Sequence, residues 1–231
     1  MREYTNKIQF NYAKVLSGML NALYIIVIFI ALLYLLFCNV YLVRKVEENS
    51  MQPLLNERGV NTDIVYVNKY FKDINYGDVV VLEAEKSIVK RALALPGDTI
   101  DIVWNTEQEK YMLYRNSEYI DEPYLKIDTS KPSHDGMYKA YQTFNNLKNT
   151  QSDLFEYIDG RLQYKLGDNE IFLLGDNRHV SEDSLLHGAY DITKVVGIVE
   201  YIQKENQTNF QIVCQYIFTF DWVKSLTNIF A

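Results

Sequence analysis

Several residue types are scarce in this chain, and each scarcity excludes something. Cysteine occurs only as Cys38 and Cys214, proline four times, and histidine only as His134, His179 and His187. Two cysteines, one inside an apolar run, supply no disulfide framework. Neither they nor the histidines fall at zinc-binding spacing, so no metal site is expected. Basic residues number 23 against 30 acidic ones, a formal charge of −7 that leaves no footprint for nucleic acid. With so few prolines and with 19 tyrosines, the composition suits a folded, strand-rich body and not a disordered one.

Charge is missing altogether from Val15 to Val43. The densest part, Leu23 to Cys38, reads LYIIVIFIALLYLLFC, with Tyr24 and Tyr41 near the ends of the run. At 1.5 Å per residue, about 20 helical residues cross a bilayer, so this stretch is long enough to span one. Its exit, Cys38-Asn39-Val40-Tyr41-Leu42-Val43-Arg44, lacks the small residues of a signal-cleavage site. An uncleaved anchor over residues 15–43 is therefore expected. Arg2, Lys7 and Lys14 precede it, while Arg44 and Lys45 follow, a small excess that favours a cytoplasmic N-terminus over residues 1–14.

Past the anchor, β-rich runs alternate with turn signals: Ile64–Val67, Asp78–Leu82, Ser87–Leu95, Thr99–Val103, Tyr111–Arg115, Tyr119–Ile120, Glu170–Leu174 and Val195–Ile202. Asn116-Ser117 is a plausible hairpin turn. No comparably strong 3.6-residue periodicity lies between these runs, so the body is predicted to be mainly β. Residues 101–165 are richer in Asn, Tyr, Asp and Lys and read as an insertion or cap. It separates a core part at 44–100 from a second part, with a tail, at 166–231. Within the tail, Phe210–Phe220 is apolar but too short to span a membrane, and Trp222, Val223, Leu226, Ile229 and Phe230 share a helical face. That pattern suits either a terminal helix packed on the core or an element lying in a bilayer interface.

Three blocks carry chemistry. Ser50 lies in Glu48-Asn49-Ser50-Met51-Gln52-Pro53, Lys90 in Val89-Lys90-Arg91-Ala92-Leu93-Ala94-Leu95-Pro96-Gly97-Asp98, and the third reads Gly175-Asp176-Asn177-Arg178-His179-Val180-Ser181-Glu182-Asp183-Ser184. A serine hydroxyl needs a base to remove its proton, and a lysine whose pKa is lowered by burial can serve. On a strand Ile88, Lys90 and Ala92 project together, which gives the amine apolar neighbours. Ser87-Ile88-Val89-Lys90 also matches the S-x-x-K motif of β-lactamases, but the S-D-N and K-T-G companions are missing. His179 and His187 read as bystanders.

In order and spacing, the three blocks, together with Tyr76-Gly77-Asp78-Val79-Val80-Val81, make the chain resemble bacterial type I signal peptidases, the leader peptidases with a serine–lysine dyad. The resemblance implies an antiparallel β catalytic core behind an N-terminal transmembrane helix, with a second β region inserted. It also implies a cofactor-free membrane endopeptidase that removes N-terminal signal peptides from exported preproteins through an acyl-enzyme. Carried over by position, Ser50 would be the nucleophile and Lys90 the general base. Ser181 would hydrogen-bond the lysine amine, Asp183 and Arg91 would pair to brace the site, and Met51 would line the substrate pocket. The backbone N–H of Ser50 would help form the oxyanion hole.

The implied setting is a bacterial cell membrane crossed once, with the catalytic part outside, in contact with lipid and near the secretion machinery. From Val43 to Ser50 the chain reaches at most about 25 Å, which keeps the serine near the lipid surface. Two positions depart from the family pattern. Glu48 stands where many relatives have serine or glycine, and an ionised carboxylate there can only accept hydrogen bonds, so it is expected to point away. Leu185 replaces a frequent arginine, leaving Arg91 as the expected partner of Asp183. The alternative reading is a catalytically impaired relative acting as an assembly factor, for instance in pilus biogenesis.

Overall fold

The computed structural model describes residues 12–57, 63–83, 86–125 and 136–230. His134, and the Arg2 and Lys7 of the charge count, lie outside the described residues. An apolar helix, α1 (Tyr12–Val40), leads directly into strand β1 (Tyr41–Lys45). The helix therefore stops short of Val43, the expected end of the anchor. All five residues of β1 pair antiparallel with β2 (Ile64–Asn68), Tyr41 opposite Asn68 and Lys45 opposite Ile64. Hydrophobicity alone does not separate the last turn of an apolar helix from an apolar edge strand; the pairing partner does.

The remaining strands are β3 (Val79–Glu83), β4 (Ser87–Ala94), β5 (Thr99–Asn105), β6 (Lys110–Arg115), β7 (Glu118–Tyr119), β8 (Phe155–Ile158), β9 (Arg161–Lys165), β10 (Glu170–Leu174), β11 (Tyr190–Asp191) and β12 (Val195–Gln203). The other α-helices among the described residues are α2 (Gly136–Thr150), the single-turn α3 (Ser184–His187), α4 (Asn209–Phe218) and α5 (Asp221–Phe230). The strands form two antiparallel sheets, in the order β1-β2-β12-β3-β4-β10-β11 and β7-β6-β5-β9-β8. Every strand expected from the sequence is present, and the molecule is mainly antiparallel β behind an apolar helix. The Asn116-Ser117 turn has φ of 51° and 66°, the left-handed pair that a two-residue hairpin needs to match strand twist.

The second sheet is built by the inserted stretch and is fused to the first. Leu93, Ala94, Phe172 and Leu174 of the first sheet share one core cluster with Ile100, Ile102, Leu113 and Tyr164 of the second. Helix α2 closes that cluster with Met137, Ala140, Phe144 and Leu147. The sequence reading missed this helix. Its apolar stripe consists of four residues in a segment otherwise made of Gly, Lys, Asn, Gln, Thr and Tyr, so its periodicity is easily lost among polar residues.

Candidate active site

Ser50 sits in the turn after β1, and a buried box holds that turn. The Asn56 side chain donates to the carbonyls of Val46 and Glu48, each at 3.0 Å, and accepts from the Asp63 N–H at 3.2 Å. The Asp63 carboxylate accepts from the Asn56 N–H and from Lys204 Nζ. Asn56 adopts φ 55°, a left-handed conformation that asparagine tolerates better than most residues. Neither residue was singled out from the sequence, since no motif spans Asn56, Asp63 and Lys204.

Lys90 lies on β4 opposite Val80 of β3, in the interior of the larger sheet, and is 1 % exposed. Its Nζ is 2.6 Å from Ser50 Oγ. Burial pushes the Lys90 pKa down, against the opposing pull of the Asp183, Glu48 and Glu182 charges. A neutral lysine amine at hydrogen-bonding distance from a serine hydroxyl can take its proton.

The third block is the roof over this pair. The Asn177 N–H donates to the Ser50 carbonyl at 2.9 Å, and the Asn177 side chain reaches the Asn49 carbonyl at 3.3 Å. Gly175 allows this approach: a Cβ placed there would lie 2.5 Å from the Ser50 carbonyl oxygen and 2.3 Å from Ser181 Oγ. Only a residue without a side chain fits.

The expected pairing of Arg91 with Asp183 does not form. Arg91 makes a two-pronged contact with Asp176, Nε to Oδ1 at 2.8 Å and Nη2 to Oδ2 at 2.6 Å, donates to the Gly77 carbonyl, and stacks 3.9 Å from the Tyr124 ring centroid. Adjacent strand residues point to opposite sides, so Arg91 leaves the Lys90 side of β4. Asp183 is instead the N-cap of α3, accepting from the Leu185 N–H at 3.1 Å and from the Gly175 N–H at 3.0 Å. It acts on Lys90 through its charge and not through Arg91.

Ser181 also departs from expectation. Its hydroxyl is buried beside Gly175 and has no hydrogen-bond partner among the described residues, so the expected bond to the lysine amine is not formed. Met51, expected to line the substrate pocket, is 1 % exposed and packs with Val46, Leu55, Val65 and Val81. Glu48 turns outward as expected. Its carboxylate meets Lys86 at 2.7 Å, and that contact holds its pKa below the usual range. A cleft of about 230 Å³ opens beside the serine turn, lined by Gln52, Pro53, Met137, Asp176, Asn177 and His179 among others.

A serine and a buried lysine in hydrogen-bond contact on an antiparallel β frame make the arrangement that a serine hydrolase with lysine in place of histidine would need. Comparison with known proteins narrows this class. The family model described as "Signal peptidase, peptidase S26" matches residues 19–203. Signal peptidase I S of Bacillus subtilis (strain 168) is 32 % identical over 163 residues, covering 69 % of this chain and 74 % of that protein. Signal peptidase I P of Bacillus subtilis subsp. natto is 30 % identical over 184 residues, 76 % and 84 % of the two chains. Signal peptidase IB of Staphylococcus aureus (strain COL) is 30 % identical over 169 residues, 68 % and 74 %. The chain belongs to the signal peptidase family and is a serine peptidase. Its apolar N-terminal helix, 29 residues long with a mean hydropathy of 2.7 over its most apolar 18-residue stretch, associates it with a membrane.

Proposed function

We propose that this protein removes signal peptides from exported preproteins, with Ser50 as nucleophile and Lys90 as general base. The observation that carries the reading is the 2.6 Å contact between a buried amine and the serine hydroxyl. Ser50 Oγ attacks the scissile carbonyl as its proton passes to Lys90 Nζ. The ammonium returns that proton to the leaving amine, and the mature protein departs, leaving an ester on Ser50. The amine then takes a proton from water as the hydroxide attacks the ester; the ammonium returns that proton to the departing Ser50 Oγ, and the signal peptide leaves as an acid that ionises in water. The Ser50 N–H stabilises the oxyanion in both halves. Ser181 receives the amine when Ser50 is acylated, and Asp183 favours the ammonium formed in each transfer. Arg91 braces the roof through Asp176, and Met51 moves to admit a small substrate side chain.

The same reading places the N-terminus in the cytoplasm. A single crossing by α1 then puts the catalytic body outside, against the lipid and beside the secretion machinery. A catalytically impaired assembly factor is the weaker alternative, because it has no need of a buried lysine held against Ser50.

The test uses the full chain in detergent with a preprotein substrate, beside Ser50→Ala and Lys90→Ala. The parent should cleave, and each variant should lose about 10³-fold or more in kcat while remaining folded by circular dichroism. An inactive parent, or a Lys90→Ala variant that retains its rate, would overturn the assignment.

A further inference from the structure

Residues beyond the family match fold into a helical hairpin, α4 and α5, joined at Thr219-Phe220. The chain builds it deliberately: Thr208 caps α4 in a reciprocal capping box with Gln211. The hairpin is seated on both the body and the apolar helix. Ile212 and Tyr216 are buried with Phe37 and Val40 of α1, Tyr66 of β2 and Tyr201 of β12. Trp222 meets Phe29 of α1 edge-on, ring centroids 6.0 Å apart. Phe29 lies eleven residues before the end of α1, about 16 Å along its axis. The hairpin thus runs beside the upper part of α1 and does not merely cap its end.

The outward side of the hairpin carries large apolar side chains among mostly uncharged polar ones such as Gln211, Gln215 and Thr219. Phe210, Phe218, Phe220 and Val223 are 74 %, 78 %, 66 % and 47 % exposed. Asp221 and Lys224 are the only charged residues between Glu205 and the last residue. Both have protein partners: Asp221 accepts from the Tyr201 hydroxyl, and Lys224 meets Glu200 at 3.2 Å. The exposed face is also continuous with the apolar surface of α1, since Phe220 contacts Trp222, which contacts Phe29. An apolar face of this size, contiguous with a lipid-facing helix and free of outward acids, is what an interfacial helix presents to a bilayer.

We propose that the α4–α5 hairpin is a second lipid-contacting element. It lies in the outer interfacial layer against α1, with Phe218, Phe220 and Val223 at the boundary between headgroups and acyl chains. This proposal rests on the anchor orientation given above. Because the same hairpin is bonded to β12 through Tyr201 and Glu200, it sets the tilt of the larger sheet over the membrane, and with it the height of Ser50.

Trp222 supplies the probe, since Trp104 is the only other tryptophan. Full-length Trp104→Phe protein in phosphatidylcholine–phosphatidylglycerol vesicles should show Trp222 emission quenched more by lipids brominated near the headgroup than by lipids brominated at the chain ends. It should also be shielded from aqueous iodide. Strong iodide quenching without bromolipid quenching would place the hairpin in water and overturn the proposal. Shielding from both quenchers would mean that protein, for instance a second copy of the chain, covers the face, and would overturn it equally.

In the same vesicles, Phe218→Ser/Phe220→Ser should lower kcat/KM about 3- to 10-fold for a membrane-embedded preprotein. Cleavage of a short soluble peptide should be unchanged. Equal effects on both substrates, or none on either, would overturn the orienting role. Preprotein cleavage that persists without bromolipid quenching sinks the hairpin proposal alone, whereas an inactive parent sinks the proposed function.

Discussion

At the scale of single residues, the charges around Lys90 decide how readily it works as a base. Burial favours its neutral form, while Asp183, Glu48 and Glu182 favour the ammonium. Glu48 is the simplest of these to remove, because its side chain is bound outward to Lys86 and holds no part of the site together. Loss of its charge lowers the Lys90 pKa further, so the neutral amine persists to lower pH. Glu48→Gln should therefore move the acid limb of the pH–kcat/KM profile to lower pH and preserve or raise the rate at neutrality. A limb that stays in place or moves up would show that Glu48 does not act on Lys90 through its field. The two-pronged Arg91–Asp176 contact belongs to the same scale: it is partly buried, charge-assisted and doubly bonded, so it fixes the third block to β4 more firmly than a single surface ion pair could.

At the scale of elements, the turn from Gly175 to Asp183 is the piece that makes a site out of two strands and a loop. It grips the Ser50 carbonyl through Asn177, ties its own start to Asp183, and leaves no room above Gly175. A new side chain would strike both Ser181 Oγ and the Ser50 carbonyl oxygen, and the latter is backbone and cannot rotate away. Gly175→Ala should displace the nucleophile by a few tenths of an ångström or more and lower kcat by about 100-fold, with a smaller change in KM. Steady-state kinetics on a soluble peptide would check this, and a wild-type kcat would show that the close approach is not needed for catalysis.

For the whole molecule, the apolar helix is also part of the fold. Leu33, Phe37 and Val40 are 5 %, 4 % and 0 % exposed, and the last two fill a cluster with Tyr41, Tyr66, Tyr201 and Tyr216. A chain beginning at Tyr41 should therefore be less stable than one beginning at Ala31. The cost of vacating those core positions is about 3–5 kcal/mol. Urea denaturation of the two chains in the same detergent measures the difference. Equal midpoints would mean that the end of α1 contributes nothing to the core.

Much of this was legible in the residues themselves. β-Branched runs between turn residues marked eight strands, the uncharged stretch marked α1, and the three blocks brought Ser50 and Lys90 forward before any geometry was known. These are local properties: strand pattern, turn conformation and apolar length depend on near neighbours along the chain. Partner choice does not. That Arg91 meets Asp176 while Asp183 caps α3 follows from which side of β4 each residue faces and from the register shift between Phe172 and Leu173 where β10 joins β4. The burial of Met51, the placing of the Ser181 hydroxyl beside Gly175, the helix α2 and the seating of the α4–α5 hairpin on α1 were likewise decided only by tertiary packing. Each depends on surfaces brought together from segments far apart in sequence, and no periodicity within one segment records which other segment will cover it.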